Sequence, residues 1–215
     1  MPKTESIHTI YKTADGQRVP SVTTYLNILA KPALIHWSWE LGTQGLDYRK
    51  VKDQAGDIGT LVHYLILCDL QGKEPDLSDC SPNERRLVES SLSKYQVWKN
   101  GQVIEPILME TPLVSETYKF GGTPDFYGKI DDKLTLLDFK TGKAIYSEAF
   151  YQVSAYKKLL EEYGYGVEQV KVLRIGKSDD EGFEERSVGN LDKHWELFLC
   201  CQKIYNLQKD IRRAD

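Results

Sequence analysis

The chain reads as an α/β protein, a mixed β-sheet with helices packed on it. Short strand-like runs recur at 103–110, 122–130, 167–175 and 183–188. Between them lie stretches with apolar residues three and four apart, such as Ile58, Leu61, Val62, Leu65 and Ile66. No internal repeat is present, which excludes solenoid and propeller arrays.

Each element has a local reason. Residues 6–20 alternate around Asp15-Gly16, a hairpin signal. Ser21 or Thr23 is placed to cap a helix reaching Ala30. Pro32 suits the first turn of the next helix, where a missing N–H costs nothing. That helix carries Trp37 and Trp39, which read as core or interface packing residues, with base stacking as the alternative. The period over 57–66 predicts a helix, and Ser81-Pro82-Asn83-Glu84 opens another that runs towards Asn100. Gly122 to Ile130 and the run after it form a hairpin with Asp131 and Asp132 at the turn. Ser147 opens a helix through Phe150, Val153, Tyr156, Leu159 and Leu160, and a last helix starts near Leu191. One domain over 1–215 is expected: a helical elaboration about 1–100, a core about 101–190 and a C-terminal helix about 191–213.

The chain has 215 residues, 40 % hydrophobic and 28 % charged, enough to bury one good core. Its net charge of −4 argues against a protein that coats DNA, because non-specific affinity comes from neutralising phosphates. Any nucleic-acid path is therefore local. The candidate basic groups are Arg49, Lys50 and Lys52, then Lys143, then Lys157 and Lys158, and finally Arg212 and Arg213. Four irregularly spaced cysteines, no signal peptide and no apolar run of bilayer length lead to an expectation of the cytoplasm, in a bacterium or a phage-infected host, with no membrane partner.

Residues 121–140 read GGTPDFYGKIDDKLTLLDFK and deliver Asp125, Asp138 and Lys140 within sixteen positions. Along a strand, Asp138 and Lys140 point one way and Phe139 the other. The hairpin sets Asp125 beside Asp138. Two facing carboxylates stay ionised only with a positive group between them, and a hard divalent cation, Mg2+ or Mn2+, is the usual solution. Lysine beside such a site can orient water or stabilise a charged transition state. His63, next to the apolar stripe of its helix and four residues after Gly59, is taken as a third ligand. Gln152 and Tyr156 share one helical face and offer hydrogen bonds without charge, either as ordinary surface and core or as supports for a DNA backbone or bound water.

These residues fall in four motifs: Gly59-Thr60-Leu61-Val62-His63, then Gly122-Thr123-Pro124-Asp125-Phe126-Tyr127-Gly128, then Leu137-Asp138-Phe139-Lys140-Thr141-Gly142, then Gln152-Val153-Ser154-Ala155-Tyr156. Their types and order, over 59–156, resemble the RecB-type branch of the PD-(D/E)XK nuclease superfamily. The resemblance implies a restriction-endonuclease-like core over the one domain. It implies that His63, Asp125 and Asp138 bind metal with the Phe139 carbonyl, that Lys140 is catalytic together with the two aspartates, and that Gln152 and Tyr156 support the site. Glu110 resembles an additional acidic residue that some members carry. Relatives with an iron–sulfur cluster hold it on spaced cysteines; here Cys68 and Cys80 follow His63, and Cys200 and Cys201 are adjacent, so no cluster is expected. No phosphate loop is present in these residues, so no helicase motor is expected beside the site.

A nuclease of this kind hydrolyses phosphodiesters with one or two ions and leaves 5′ phosphates. A stand-alone domain of this size resembles recombination and end-processing exonucleases more than restriction enzymes, which need extra surface for base readout. DNA, as single strands or duplex ends, is the expected partner, with a recombination or single-strand-binding protein as a further one. The alternatives are a structure-specific endonuclease and a nuclease-fold protein that binds nucleic acid without cutting.

Overall fold

The computed structural model describes residues 9–214. A two-stranded ribbon opens the chain, β1 (Tyr11–Lys12) against β2 (Arg18–Val19), turning at Gly16 with φ +85°. Residues 6–8 of the expected hairpin lie outside the described residues. Ser21 caps α1 (Val22–Leu26) by accepting from Thr24 N. This helix stops before Ala30. It ends at Leu26 with Asn27 as its C-cap, and Pro32, which disfavours helical geometry for the residue before it, starts a separate helix after Lys31 at φ −118°, ψ 75°.

The chain then forms α2 (Pro32–Thr43), with proline in its first turn as expected. Leu41 is its one buried side chain, and Trp39, 64 % exposed, lies outside the core with its ring stacked on His36 at 5.8 Å. Next come α3 (Tyr48–Gln71), capped by Asp47 and closed by left-handed Gly72, and α4 (Pro82–Lys99). In α4, Ser81 Oγ accepts from Glu84 N while Glu84 accepts from Ser81 N, the reciprocal cap that the four residues predict.

The strands follow: β3 (Ile104–Met109), β4 (Leu113–Ser115), β5 (Phe120–Gly122), β6 (Phe126–Ile130) and β7 (Lys133–Lys140). The expected strand from Gly122 to Ile130 is thus two strands. β5 pairs with β4 in a small ribbon, and the break falls at Pro124, which has no N–H to give a ladder. At the next turn Asp131 and Asp132 have φ +49° and +65°, the left-handed pair that a two-residue hairpin loop requires. The chain ends with α5 (Ser147–Glu162), β8 (Gln169–Ile175), β9 (Phe183–Ser187) and α6 (Asp192–Ala214).

Five strands form a central mixed sheet in the order β3-β6-β7-β8-β9, with only β7 and β8 parallel. Alternation along the strands splits the apolar side chains between two cores. Leu136, Val170 and Val172 pack with α1, α5 and α6. Leu137, Phe139, Leu173 and Ile175 pack with α3 and α4 on the other face. The C-terminal end of β7 emerges between these helical layers. No helix of the described residues is long and apolar enough to cross a membrane.

Candidate active site

The end of β7 carries Asp138, Phe139 and Lys140. Phe139 turns towards α3, where its ring meets His63 edge on at 6.0 Å between centroids. Asp138 and Lys140 turn the other way, towards α5. Asp138 is fully buried and neither carboxylate oxygen has a hydrogen-bond partner of good geometry; its charge is met by Lys140 Nζ, 2.6 Å from Oδ2. Lys140 Nζ donates to Gln152 Oε1 at 3.1 Å, and Gln152 Nε2 donates to Tyr156 Oη at 2.9 Å. The four-residue spacing on α5 therefore builds a chain from carboxylate to ammonium to amide to phenol.

The electrostatics follow from burial and charge. Loss of water pushes the Asp138 carboxyl up to about 6; Lys140 opposes this and the Asp125 charge adds to it. Burial alone pulls the Lys140 ammonium down, but the Asp138 and Asp125 carboxylates outweigh it and hold the group above its ordinary value. Tyr156 is raised well above the usual phenol range, first by burial and then by the same two carboxylates. At neutral pH the lysine is thus a cation and the tyrosine a neutral hydrogen-bonding group.

A second cluster meets the first at Asp125. Its Oδ2 accepts from Phe139 N at 2.8 Å, and its Oδ1 lies 3.7 Å from His63 Nδ1. Ligand atoms of His63, Glu110 and Asp125 all lie within 4.8 Å of one another. Glu110 arrives there because the ladder between β3 and β6 runs one step further, Glu110 N donating to Asp125 O at 3.1 Å. The residue adopts φ +42°, a left-handed conformation that glutamate rarely takes. Although its side chain reaches solvent, dehydration at the site pushes its carboxyl up, Asp125 adds to this, and His63 opposes it. His63 and Glu110 line an open concavity of about 390 Å³ with Thr60, Tyr64 and Leu67.

The three side chains that converge are therefore His63, Asp125 and Glu110, while Asp138 stands behind them with Lys140. Phe139, whose carbonyl is the expected ligand, also gives its N–H to Asp125. Glycines allow the close approaches. A Cβ on Gly59 would lie 2.8 Å from Thr141 Oγ1, so the bare turn of α3 seats the end of β7. A Cβ on Gly122 would lie 2.6 Å from Tyr156 Cε1. Tyr11 was not singled out by sequence: its hydroxyl bonds Thr123 Oγ1 at 2.7 Å, beside the Asp125 turn, and only its place in an alternating run marks it.

The basic candidates are spread out. Arg49, Lys50 and Lys52 occupy the start of α3, about 16–21 Å along the helix from His63 at 1.5 Å per residue. Lys143 pairs with Glu181 at 2.9 Å, and Lys157 and Lys158 share Glu161 at 3.6 and 2.7 Å. Arg212 and Arg213 lie exposed in the last turn of α6.

No family model matches the chain, and no curated protein matches it. Among solved structures, the protein SSO0001 is similar at 12 % identity, over 93 % of this chain and 81 % of that one, with a TM-score of 0.43. The alkaline exonuclease LHK-Exo from Laribacter hongkongensis is similar at 15 % identity, over 73 % of this chain and 86 % of that one, with a TM-score of 0.29. The same protein in complex with dAMP scores 0.28 over the same shares.

Proposed function

We propose that the chain is a metal-dependent deoxyribonuclease acting as an exonuclease that leaves 5′ phosphates. One carboxylate carries this conclusion. Asp125 faces His63 and Glu110 with one oxygen, and with the other it holds the N–H of Phe139, between Asp138 and Lys140. A ligand cluster and a positioned lysine so become one site.

An imidazole with several carboxylates is a donor set that suits Mg2+ or Mn2+. Asp138 supplies the test of fit: a buried carboxylate with no hydrogen bond of good geometry and only one cation beside it costs free energy unless a further positive group answers it. His63, Glu110, Asp125 and Asp138 would hold one or two ions. Such an ion lowers the pKa of water and polarises a phosphoryl oxygen.

The side chains do the rest. Lys140, held protonated by the two aspartates, orients the attacking water opposite the leaving 3′ oxygen and offsets the charge that gathers on the phosphoryl group. Gln152 fixes the ammonium, and Tyr156 fixes Gln152. Cleavage on the 3′ oxygen side leaves the phosphate on the 5′ end of the next nucleotide. We place the chain with RecB-type nucleases, as one restriction-endonuclease-like domain over 1–215 that acts on DNA ends in recombination, repair or end processing.

A time course on end-labelled single-stranded, blunt duplex and closed circular DNA, with Mg2+ or Mn2+, tests this. Shortening of linear DNA that chelation, Asp138→Ala and Lys140→Ala each abolish, with circles intact, is the expected result. Cut circles would make the protein an endonuclease. Binding without cleavage under either metal would leave a non-catalytic nucleic-acid-binding protein.

A further inference from the structure

β8 runs parallel to β7, and its register pairs Lys140 with Arg174. Aligned residues of adjacent strands project to the same face, about 4.8 Å apart. Arg174 therefore stands one strand over from the lysine of the active site, on the face that carries Asp138 and Lys140. Its side chain is only 12 % exposed.

An arginine this buried ordinarily makes short, paired bonds to a carboxylate, near 2.7–2.9 Å. Arg174 does not. Its nearest carboxylates, Glu181 and Glu184, are each 3.7 Å away, and its Nε has no hydrogen-bond partner. Both carboxylates are committed elsewhere. Glu181 takes Lys143 Nζ at 2.9 Å and Lys177 N at 3.1 Å, while Glu184 takes Arg186 Nε at 2.7 Å. The two carboxylates balance its charge but leave Nε without a hydrogen bond, so the guanidinium is held loosely and suits an anion that comes closer from outside.

We infer that Arg174 and Lys143 form a second anion site, which takes the backbone phosphate next to the scissile one, with Glu181 as the internal anion that this phosphate displaces. The inference rests on the nuclease reading above. Lys143 already reaches Glu181 from the loop that follows Lys140, and its own side chain is 83 % exposed and able to swing. Glu181 lies in the connection between β8 and β9, outside both strands, and its displacement from Arg174 leaves its bond to Lys177 N in place. One strand spacing between Lys140 and Arg174 is a step of the same order as that between successive phosphates. Arg174 is a positioning residue in this scheme: it holds the substrate strand in line with Lys140 and touches no reacting atom.

The test compares a 20-nucleotide single strand with thymidine 5′-(p-nitrophenyl phosphate), which has one phosphodiester and no neighbouring phosphate. Arg174→Gln should lower kcat/KM for the strand about tenfold more than for the small ester, chiefly through KM, and Arg174→Lys should recover part of the loss. Glu181→Gln should lower KM for the strand. Thermal melts of all three variants report folding. Equal losses on both substrates, or no loss on the strand, would overturn the inference while leaving the nuclease reading in place. If wild type cleaves neither substrate, the nuclease reading fails, and anisotropy of a labelled strand still decides the anion site. Arg174→Gln should then weaken binding and flatten its salt dependence by about one counterion, and an unchanged affinity would sink the site.

Discussion

The backbone N–H of Phe139 donates to Oδ2 of Asp125 at 2.8 Å, so the carboxylate that faces His63 also pins the end of β7. Structural and ligand roles meet in one side chain, and two substitutions separate them. Asparagine keeps an acceptor for the N–H, whereas alanine orphans it at a cost of about 1–3 kcal/mol. Asp125→Asn should melt close to wild type in chelator, and Asp125→Ala several degrees lower, at about 2–4 °C per kcal/mol for a chain of this size. Both should lose Mn2+ affinity by calorimetry. A wild-type affinity in either would remove Asp125 from the ligand set.

Asp138 yields a prediction of opposite sign. Its folded pKa, about 6, lies above the ordinary 3.8. The stabilising contribution of the protonated group is therefore fully present below about pH 3.8 and is lost as pH rises through about 6, a difference of about 3 kcal/mol at most. Asparagine has no charge to desolvate, though it leaves Lys140 without its nearest counterion. In chelator at pH 7, Asp138→Asn should be more stable than wild type by about 1–3 kcal/mol, with the gap closing towards pH 4. Cleavage should vanish in the same variant. Denaturant titrations at the two pH values measure the first effect, and a less stable variant at pH 7 would contradict it.

How much of this was legible beforehand depended on range. The Ser81–Glu84 cap and the Asp131-Asp132 turn are local, and adjacent residues state their chemistry outright. The faces of Asp138, Phe139 and Lys140 follow from strand alternation alone, and the pairing of Gln152 with Tyr156 from helical spacing. Glu110 is different. Its arrival beside His63 needs the pairing of β3 with β6 and one extra ladder bond, which no local pattern encodes. The same holds for Tyr11 reaching Thr123, and for Arg174 lying opposite Lys140, since a parallel register is set by packing across α5. The break at Pro124 is legible in the residue itself, which has no N–H to give a ladder.

Gly122 links β5 to α5. An added methyl would meet Tyr156 Cε1 at 2.6 Å and Leu159 Cδ1 at 3.0 Å, and both side chains are buried. Alanine ordinarily favours a strand over glycine, so a gain would follow if space were available. Here Gly122→Ala should destabilise by about 1–3 kcal/mol through overpacking. It should also lower kcat more than it raises KM, because displacing the Tyr156 ring moves Gln152 and, through it, the Lys140 ammonium. Calorimetric melting and steady-state kinetics report the two effects. A variant as stable and active as wild type would show that the ring yields freely.

Glu110 allows backbone strain to be told apart from ligand chemistry. At φ +42° a side chain costs about 1–2 kcal/mol, which glycine escapes, while glycine gives back about 0.5–1 kcal/mol through the freedom of its unfolded chain. Glu110→Gly also removes a carboxylate that Asp125 repels. Glu110→Ala removes the carboxylate and keeps the strained conformation. In chelator, the glycine variant should therefore melt above the alanine variant, by an amount corresponding to about 0.5–1 kcal/mol. Both should bind Mn2+ more weakly than wild type and to the same degree, since each lacks the same ligand. If alanine proves the more stable, the left-handed conformation stores nothing. If Mn2+ affinity survives both substitutions, Glu110 stands beside the metal without holding it, and the ligands are His63, Asp125 and Asp138 with the Phe139 carbonyl.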